Sequence, residues 1–349
     1  KFVFATKRAA VAKLRHPDFL AALLLLAMPL LFFRETLFGG KVLLPTDNLF
    51  QWEPWRTYAA QLGVGPLQNQ LLSDLILENY AWKQFIVESI QRRELPLWNP
   101  YLFAGVPFLA AGQHSAMYPF SVIFYVFPLT YAYGLFTALH FALASWGAYL
   151  LARVLGASRC GGLVAGIAYA FSAFYVVSVT FTMVIAAAAW LPFLLAILEV
   201  LVRKQEQKGL HLYSPVPYVA AGALLLGLEV MAGHVEMTYY TLMVAGFYAL
   251  GRLLIFWRRT RWGWGAIRLG LWILILVALG LALGGVQLVP MYELVSQSFR
   301  QESASYQEVV GWAYPTRQIL TFLIPNFFGN PSHHAYFDPF CLCWREVTH

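Results

Sequence analysis

The residues best suited to chemistry are acids lying between Arg34 and Tyr118, joined by a few His, Glu and Arg residues further on. Asp47 stands in Pro45-Thr46-Asp47-Asn48, Asp74 follows Ser73, and Glu53 and Glu78 accompany them. A carboxylate in such a setting can take a proton from an attacking hydroxyl or hold a divalent metal. Asp74 and Glu78 are one helical turn apart, a spacing that puts both on one helix face. Asp47 also reads as a turn-forming Asx residue, and Asp74 as a helix cap. His234 and Glu236, two apart in a short turn, suit contact with a metal or a polar ligand, or the satisfaction of two helix ends. Arg300, with Arg56 and Arg317 as alternatives, offers a cation for a phosphate, or a plain interfacial anchor. Glu229 falls inside an apolar run, where a carboxylate is costly and points to function; a neutral acid bonded to a neighbouring helix is the structural alternative. His333, His334 and Asp338 are metal-ligand types at a spacing that matches no zinc pattern, and phosphate-loop, dinucleotide, haem and zinc-finger signatures are absent.

These residues must be positioned by apolar elements. The chain is 60% hydrophobic and 12% charged, with a mean hydropathy of +0.60, far from the composition of soluble domains. Its apolar runs are continuous rather than alternating, which excludes a β-barrel and leaves helices as the way to satisfy the backbone in lipid. The expected fold is an all-α polytopic bundle of about seven spans: Pro17–Phe33, Thr130–Ala152, Gly161–Phe181, Val184–Val202, Pro215–Ala232, Val235–Trp257 and Ala266–Val289. Lys and Arg are densest in the N-terminal arm, at Arg153 and Arg159, around Arg203 to Lys208, and from Arg252 to Arg268. That bias places those segments in the cytoplasm and turns the two long segments, 34–129 and 290–349, outward from the plasma membrane. The formal charge of +7 then reflects topology and anionic lipid, and no basic stripe with stacking aromatics supports nucleic-acid binding.

Four regions follow: residues 1–33, a cytoplasmic arm and first span; 34–129, an outward loop; 130–289, six further spans; and 290–349, an outward C-terminal segment that reads as part of a longer protein or an unusually short one. Within the loop, Leu75, Ile76, Tyr80, Trp82, Phe85, Ile86 and Ile90 lie at helical spacing opposite Glu78, Lys83, Glu88 and Arg92. This predicts an amphipathic helix on the outer leaflet, stopped by Pro96 and Pro100. Two stretches, Leu44 to Trp55 and Leu72 to Trp82, each carry an Asp followed by aromatics and read as a degenerate repeat or as chance. Tyr118 to Pro128 reads as an interfacial or re-entrant piece. Cys160, Cys341 and Cys343 are too few for a disulfide framework.

The chain resembles the bacterial YfhO family of multi-pass membrane proteins, which are related to the GT-C glycosyltransferases. The resemblance rests on Asp47 with Pro54-Trp55, Asp74 with Tyr80-Ala81-Trp82, Leu95-Pro96-Leu97-Trp98-Asn99-Pro100-Tyr101, Phe103 to Pro107, Gly233-His234, and Gln287 to Pro290 through Ser298-Phe299-Arg300. It covers about residues 30–330. Val235-Glu236 stands where the family usually has Pro-Gln, and His333 to His349 departs from the expected continuation.

The resemblance implies the seven-span module shared by GT-C enzymes, with a catalytic acid in the outward first loop. It further implies transfer of a sugar from a polyprenyl-phosphate donor to an acceptor on the outer face of the bacterial plasma membrane. Asp47 and Asp74 are then the candidate catalytic acids, or the ligands of Mg or Mn if a metal takes part. Arg300, His234, Glu236 and Arg56 are the candidates for substrate and phosphate. The partners implied are the polyprenyl-phosphate-linked sugar, membrane lipid and other membrane subunits, without nucleic acid. The alternative is a non-catalytic membrane subunit whose aromatic faces bind partner helices, lipid or pigment.

Overall fold

The computed structural model describes residues 16–65, 67, 69, 72–208, 214–261, 263–298, 305–311, 313, 316–324, 327–328, 335–338 and 343–346. The chain divides into two compact units: Lys1–Leu44 with Tyr80–Leu294, and Pro45–Asn79 with Val295–His349. The first is a helical bundle and the second a set of short elements.

Among the described residues, five helical runs of the bundle are long and apolar enough to cross a membrane: Leu129–Leu155, Arg159–Val177, Thr182–Gln207, Val235–Thr260 and Gly263–Leu283. Two apolar helices are shorter, Pro17–Phe32 and Val216–Met231. The chain is thus a helical membrane protein. Its helices fall where the continuous apolar runs lie, because a run of about 20 apolar residues closes its own backbone hydrogen bonds and needs no water.

The bundle helices are α1 (His16–Phe32), α2 (Tyr80–Gln91), α3 (Leu129–Leu155), α4 (Arg159–Ala170), α5 (Ala173–Val177), α6 (Thr182–Ala188), α7 (Leu191–Lys208), α8 (Val216–Met231), α9 (Val235–Thr260), α10 (Gly263–Leu283) and α11 (Gly285–Ser296). Local signals explain their ends. Gly156 closes α3 in the left-handed conformation at φ 97°, with its N–H and that of Ala157 donating back to Arg153 and Ala152. Ser158 opens α4 by accepting from the Gly161 N–H at 3.1 Å, a cap worth about 1 kcal/mol. Three spans read as continuous in the sequence are interrupted, between α4 and α5, α6 and α7, and α10 and α11. The core lies where α3 meets α4, α6 and α7, and where α8 meets α10. An aromatic layer of Phe124, Tyr133, Phe136, Tyr118 and Trp190 packs there with buried alanines of α3 and α6.

The segment from Leu95 to Pro128 is folded onto this bundle. Trp98–Asn99 pairs antiparallel with Val106–Pro107, and the Trp98 ring lies against Gly105, so the Leu-Pro-Leu-Trp-Asn-Pro block is a small hairpin. A 3-10 turn, Pro119–Ser121, then leads into the helix Val122–Val126, which packs on α3.

The helix expected to lie on the leaflet differs in phase. After α-helical residues Ser73 and Asp74, Leu75–Asn79 is a π-helix, and regular α-helix resumes at Tyr80. The wider turn rotates everything after it. Lys83, placed on the polar face by its spacing, is instead completely buried with Ile86 and Ser89, while Ile90 is exposed. The two repeat-like stretches also differ, one forming the 3-10 helix Thr46–Gln51 and the short helix Trp55–Tyr58, the other a continuous helical run. They are not a structural repeat.

In the second unit, the 3-10 helix Thr46–Gln51 packs on the π-helix Leu75–Asn79. Further along lie the helix Tyr306–Gly311, the 3-10 helix Thr316–Phe322, and strands Ala335–Asp338 and Cys343–Glu346 paired antiparallel.

Candidate functional site

The candidate acids gather in the second unit. Asp47 occupies the first turn of the 3-10 helix and is half-buried. Its neighbour Asn48 fixes that turn. Fully buried, it donates its amide to the Asn69 carbonyl at 2.9 Å and accepts from Gln51 Nε2 at 2.9 Å. Pro45, rather than Asp47, is the capping residue. Arg56 donates from Nε and Nη2 to the Gln51 carbonyl, the Nε bond being 3.0 Å. The same small helix therefore carries Asp47 near its start and holds a guanidinium at its end. Glu53 is spent locally, accepting from the Thr57 hydroxyl at 2.7 Å.

Asp74 is exposed in the turn just before the π-helix that packs on Asp47's element. It faces Glu78 electrostatically. Desolvation, and then the Asp74 charge, raise the Glu78 carboxyl above the ordinary carboxylate range. Among the described residues, no three His, Cys, Asp or Glu side chains converge as metal ligands.

The bundle holds His234 and Glu236, where both serve the helix. His234 is the N-cap of α9, its ring Nδ1 accepting from the Met237 N–H at 3.2 Å, and desolvation lowers its pKa. Glu236 accepts from the Tyr240 hydroxyl at 2.8 Å. Arg300, His333 and His334 lie outside the described residues, as does Cys341. Arg317 stands in the 3-10 helix Thr316–Phe322.

A buried polar network in the bundle escaped sequence reasoning. Trp190 Nε1 donates to the Tyr118 hydroxyl at 3.2 Å, and that hydroxyl lies 2.9 Å from His140 Nε2. His140 Nδ1 lies 2.7 Å from the Phe136 carbonyl. A carbonyl only accepts, so Nδ1 carries the proton and Nε2 accepts from Tyr118. Lys83 donates to the His114 carbonyl at 2.6 Å and lies 4.3 Å over the Phe124 ring. Burial still pulls its ammonium down to about 7. His114 is held neutral, donating to the Phe108 carbonyl and accepting from the Ala116 N–H, and burial lowers it to about 4.

The same segment is locked to the bundle at Ser115, whose hydroxyl donates to the Ala232 carbonyl at 2.6 Å, and at Leu109, whose carbonyl accepts from Gln287 Nε2 at 2.9 Å. Gly112 and Gly233 meet there with φ of 76° and 93°. A Cβ on Gly233 would overlap the Gly112 carbonyl, so both the conformation and the space demand glycine. Gly233-His234 is thus a packing motif, its glycine for close approach and its histidine for capping.

No family model matches the chain, and no curated protein or solved structure is significantly similar to it.

Proposed function

We propose that the chain is a membrane glycosyltransferase-like protein of GT-C type, acting on a polyprenyl-phosphate-linked sugar at the outer face of the plasma membrane. The observation that carries this reading is the grouping of Asp47, Asp74, Glu78 and Arg56 on contacting elements of one unit. The membrane helices and the motif resemblance support it. Asp47 is the general base that takes the proton of the acceptor hydroxyl. The acceptor oxygen then forms a bond to the anomeric carbon as the bond from that carbon to the phosphate oxygen breaks. The configuration inverts, and polyprenyl phosphate leaves with the electron pair. Arg56, on the next short helix with its guanidinium at the Gln51 carbonyl, supplies charge toward the leaving phosphate, with Arg300 as the alternative cation. Desolvation, and then the Asp74 charge, hold the Glu78 carboxyl above the ordinary carboxylate range. A divalent ion held by Asp47 and Asp74 would add neutralisation at the phosphate. His234 and Glu236 shape the turn that opens α9.

The test is transfer of labelled sugar from a polyprenyl-phosphate donor by the purified full chain, with and without EDTA. Asp47→Asn is expected to lower turnover by about 100-fold or more without changing the unfolding midpoint. Absence of transfer from every such donor, together with co-purifying membrane proteins, would replace this reading with that of a non-catalytic subunit.

A further inference from the structure

We propose that Glu229 is the centre of a buried small-cation site, one that takes a sodium ion when the carboxyl is ionised. Glu229 lies on α8, two residues from its end, with no exposed surface. Among the described residues no hydrogen bond of full geometry reaches either of its oxygens, and the Thr241 hydroxyl is the one side-chain donor that acts on it. The Thr241 hydroxyl of α9 lies beside it, and the carboxyl is within electrostatic reach of Tyr118, Tyr169 and Tyr175.

The carboxyl is not alone in lacking partners. The buried hydroxyls of Thr180, Thr182 and Thr238 are also unsatisfied among the described residues, and that of Tyr175 has only the neighbouring Tyr169 hydroxyl. They come from α5, the turn after it, the start of α6 and the first turns of α9. Those elements meet. Short helix α6 packs on both α8 and α9, and Tyr175 shares a core cluster with Ile185 and Ala188 of α6 and Met237 of α9. Folded interiors keep few unsatisfied polar atoms, so a concentration of them on mutually packed elements calls for a polar ligand.

The donor set identifies the ligand. It is made entirely of oxygen, which suits a hard ion and not a soft transition metal. It contains one carboxylate, which balances one positive charge. Complete burial suits a dehydrated ion and leaves no opening for a sugar or peptide. Among the described residues the buried cations are engaged elsewhere: Lys83 is held by the His114 carbonyl and the Phe124 ring, while Arg153, Arg203 and Arg252 are paired with Asp18 and Glu199. The titratable groups facing the site are the three tyrosines, with His140 behind Tyr118. The inference is independent of the acids on residues 45–79.

The experiment is thermal unfolding of the detergent-solubilised full chain above neutral pH, in sodium chloride against choline chloride at equal ionic strength. Sodium is expected to raise the wild-type midpoint by about 3 °C or more. Glu229→Gln should remove that response, and Thr182→Val should weaken the apparent sodium affinity by about tenfold. Should Glu229→Gln not fold, labelling of wild-type Glu229 by dicyclohexylcarbodiimide decides, because bound sodium must slow it. Equal wild-type midpoints in the two salts, a sodium response that survives Glu229→Gln, or labelling that responds to acid but not to sodium would each overturn the site.

Discussion

Glu199 and Glu229 are both buried carboxylates in apolar helices of one bundle, yet they live in opposite surroundings. Glu199 on α7 is gripped by Arg203 Nε at 2.5 Å, Arg252 Nε at 2.7 Å and the Tyr248 hydroxyl at 2.7 Å. Asp18 is treated the same way nearby in the fold, accepting from Tyr149 at 2.6 Å and pairing with Arg153 and Arg159. Arg203 also reaches the Leu155 carbonyl, so these acids staple one end of the bundle together. Glu229 has none of this. Arg252 and Thr241, the α9 residues beside the two acids, stand eleven positions apart, or about 16 Å along the helix. One acid is neutralised by the protein and holds the fold. The other is left by the fold for something that is not protein.

The comparison breaks most severely where the layer around Glu229 is built. Gly233→Ala forces a methyl group into the Gly112 carbonyl at a positive φ, and a loss of about 3 kcal/mol or more is expected. Chemical denaturation should show it, together with faster proteolysis between Phe108 and Tyr118 as that segment undocks.

A smaller effect concerns the buried cation. The Lys83 pKa is depressed in the folded state, so between about 7 and its ordinary value of 10.5 the unfolded chain binds more protons, and stability rises with pH across that window. His114 acts in a lower window: folded at about 4 against 6.5 unfolded, it costs stability as pH falls from 6.5 toward 4. Lys83→Met should abolish the alkaline rise and leave the acid loss in place, as read from unfolding midpoints over pH 4 to 10. A cation balanced by a nearby acid would show no alkaline rise.

The smallest effect is expected from the exposed pair of Lys41 and Glu35. These side chains are open to solvent, and Lys41→Ala should leave the unfolding midpoint unchanged within error. It sharpens the comparison by showing that charge pairing matters only where water is excluded.

Much of the bundle was legible in the chain because bilayer spans announce themselves by continuous apolarity: among the described residues five of the expected runs are helices long and apolar enough to cross a membrane, and Pro17–Phe32 and Val216–Met231 are shorter apolar helices. The breaks within them were not. The marks are slight: Ser172 stands at the N-cap of α5 and Pro192 in the first turn of α7, signals that are easily passed over inside continuous apolar runs. The helix after Asp74 was legible as a helix but not in phase, because one π-turn rotates all later residues and a lysine inside the buried stripe reads as surface. The closeness of Asp74 to Glu78 follows from local spacing, and the Asp74 charge acts on the Glu78 carboxyl. The Trp190–Tyr118–His140 chain joins residues 72 and 22 positions apart, and no local pattern encodes such a contact. His234 was seen as polar in a turn, but a capping histidine and a ligand-binding one look alike until the Met237 N–H is located.

The most direct test of the contrast between the two buried acids is a paired measurement of unfolding free energy for Glu199→Gln and Glu229→Gln in sodium-free buffer. Glu199→Gln should cost about 2–4 kcal/mol, because it strands two arginines with their partner removed. Glu229→Gln should leave stability unchanged or raise it, because it removes a carboxyl with nothing paired to it. A loss at Glu229 as large as that at Glu199 would mean that Glu229 too is held by the protein, and the distinction drawn between them would fall.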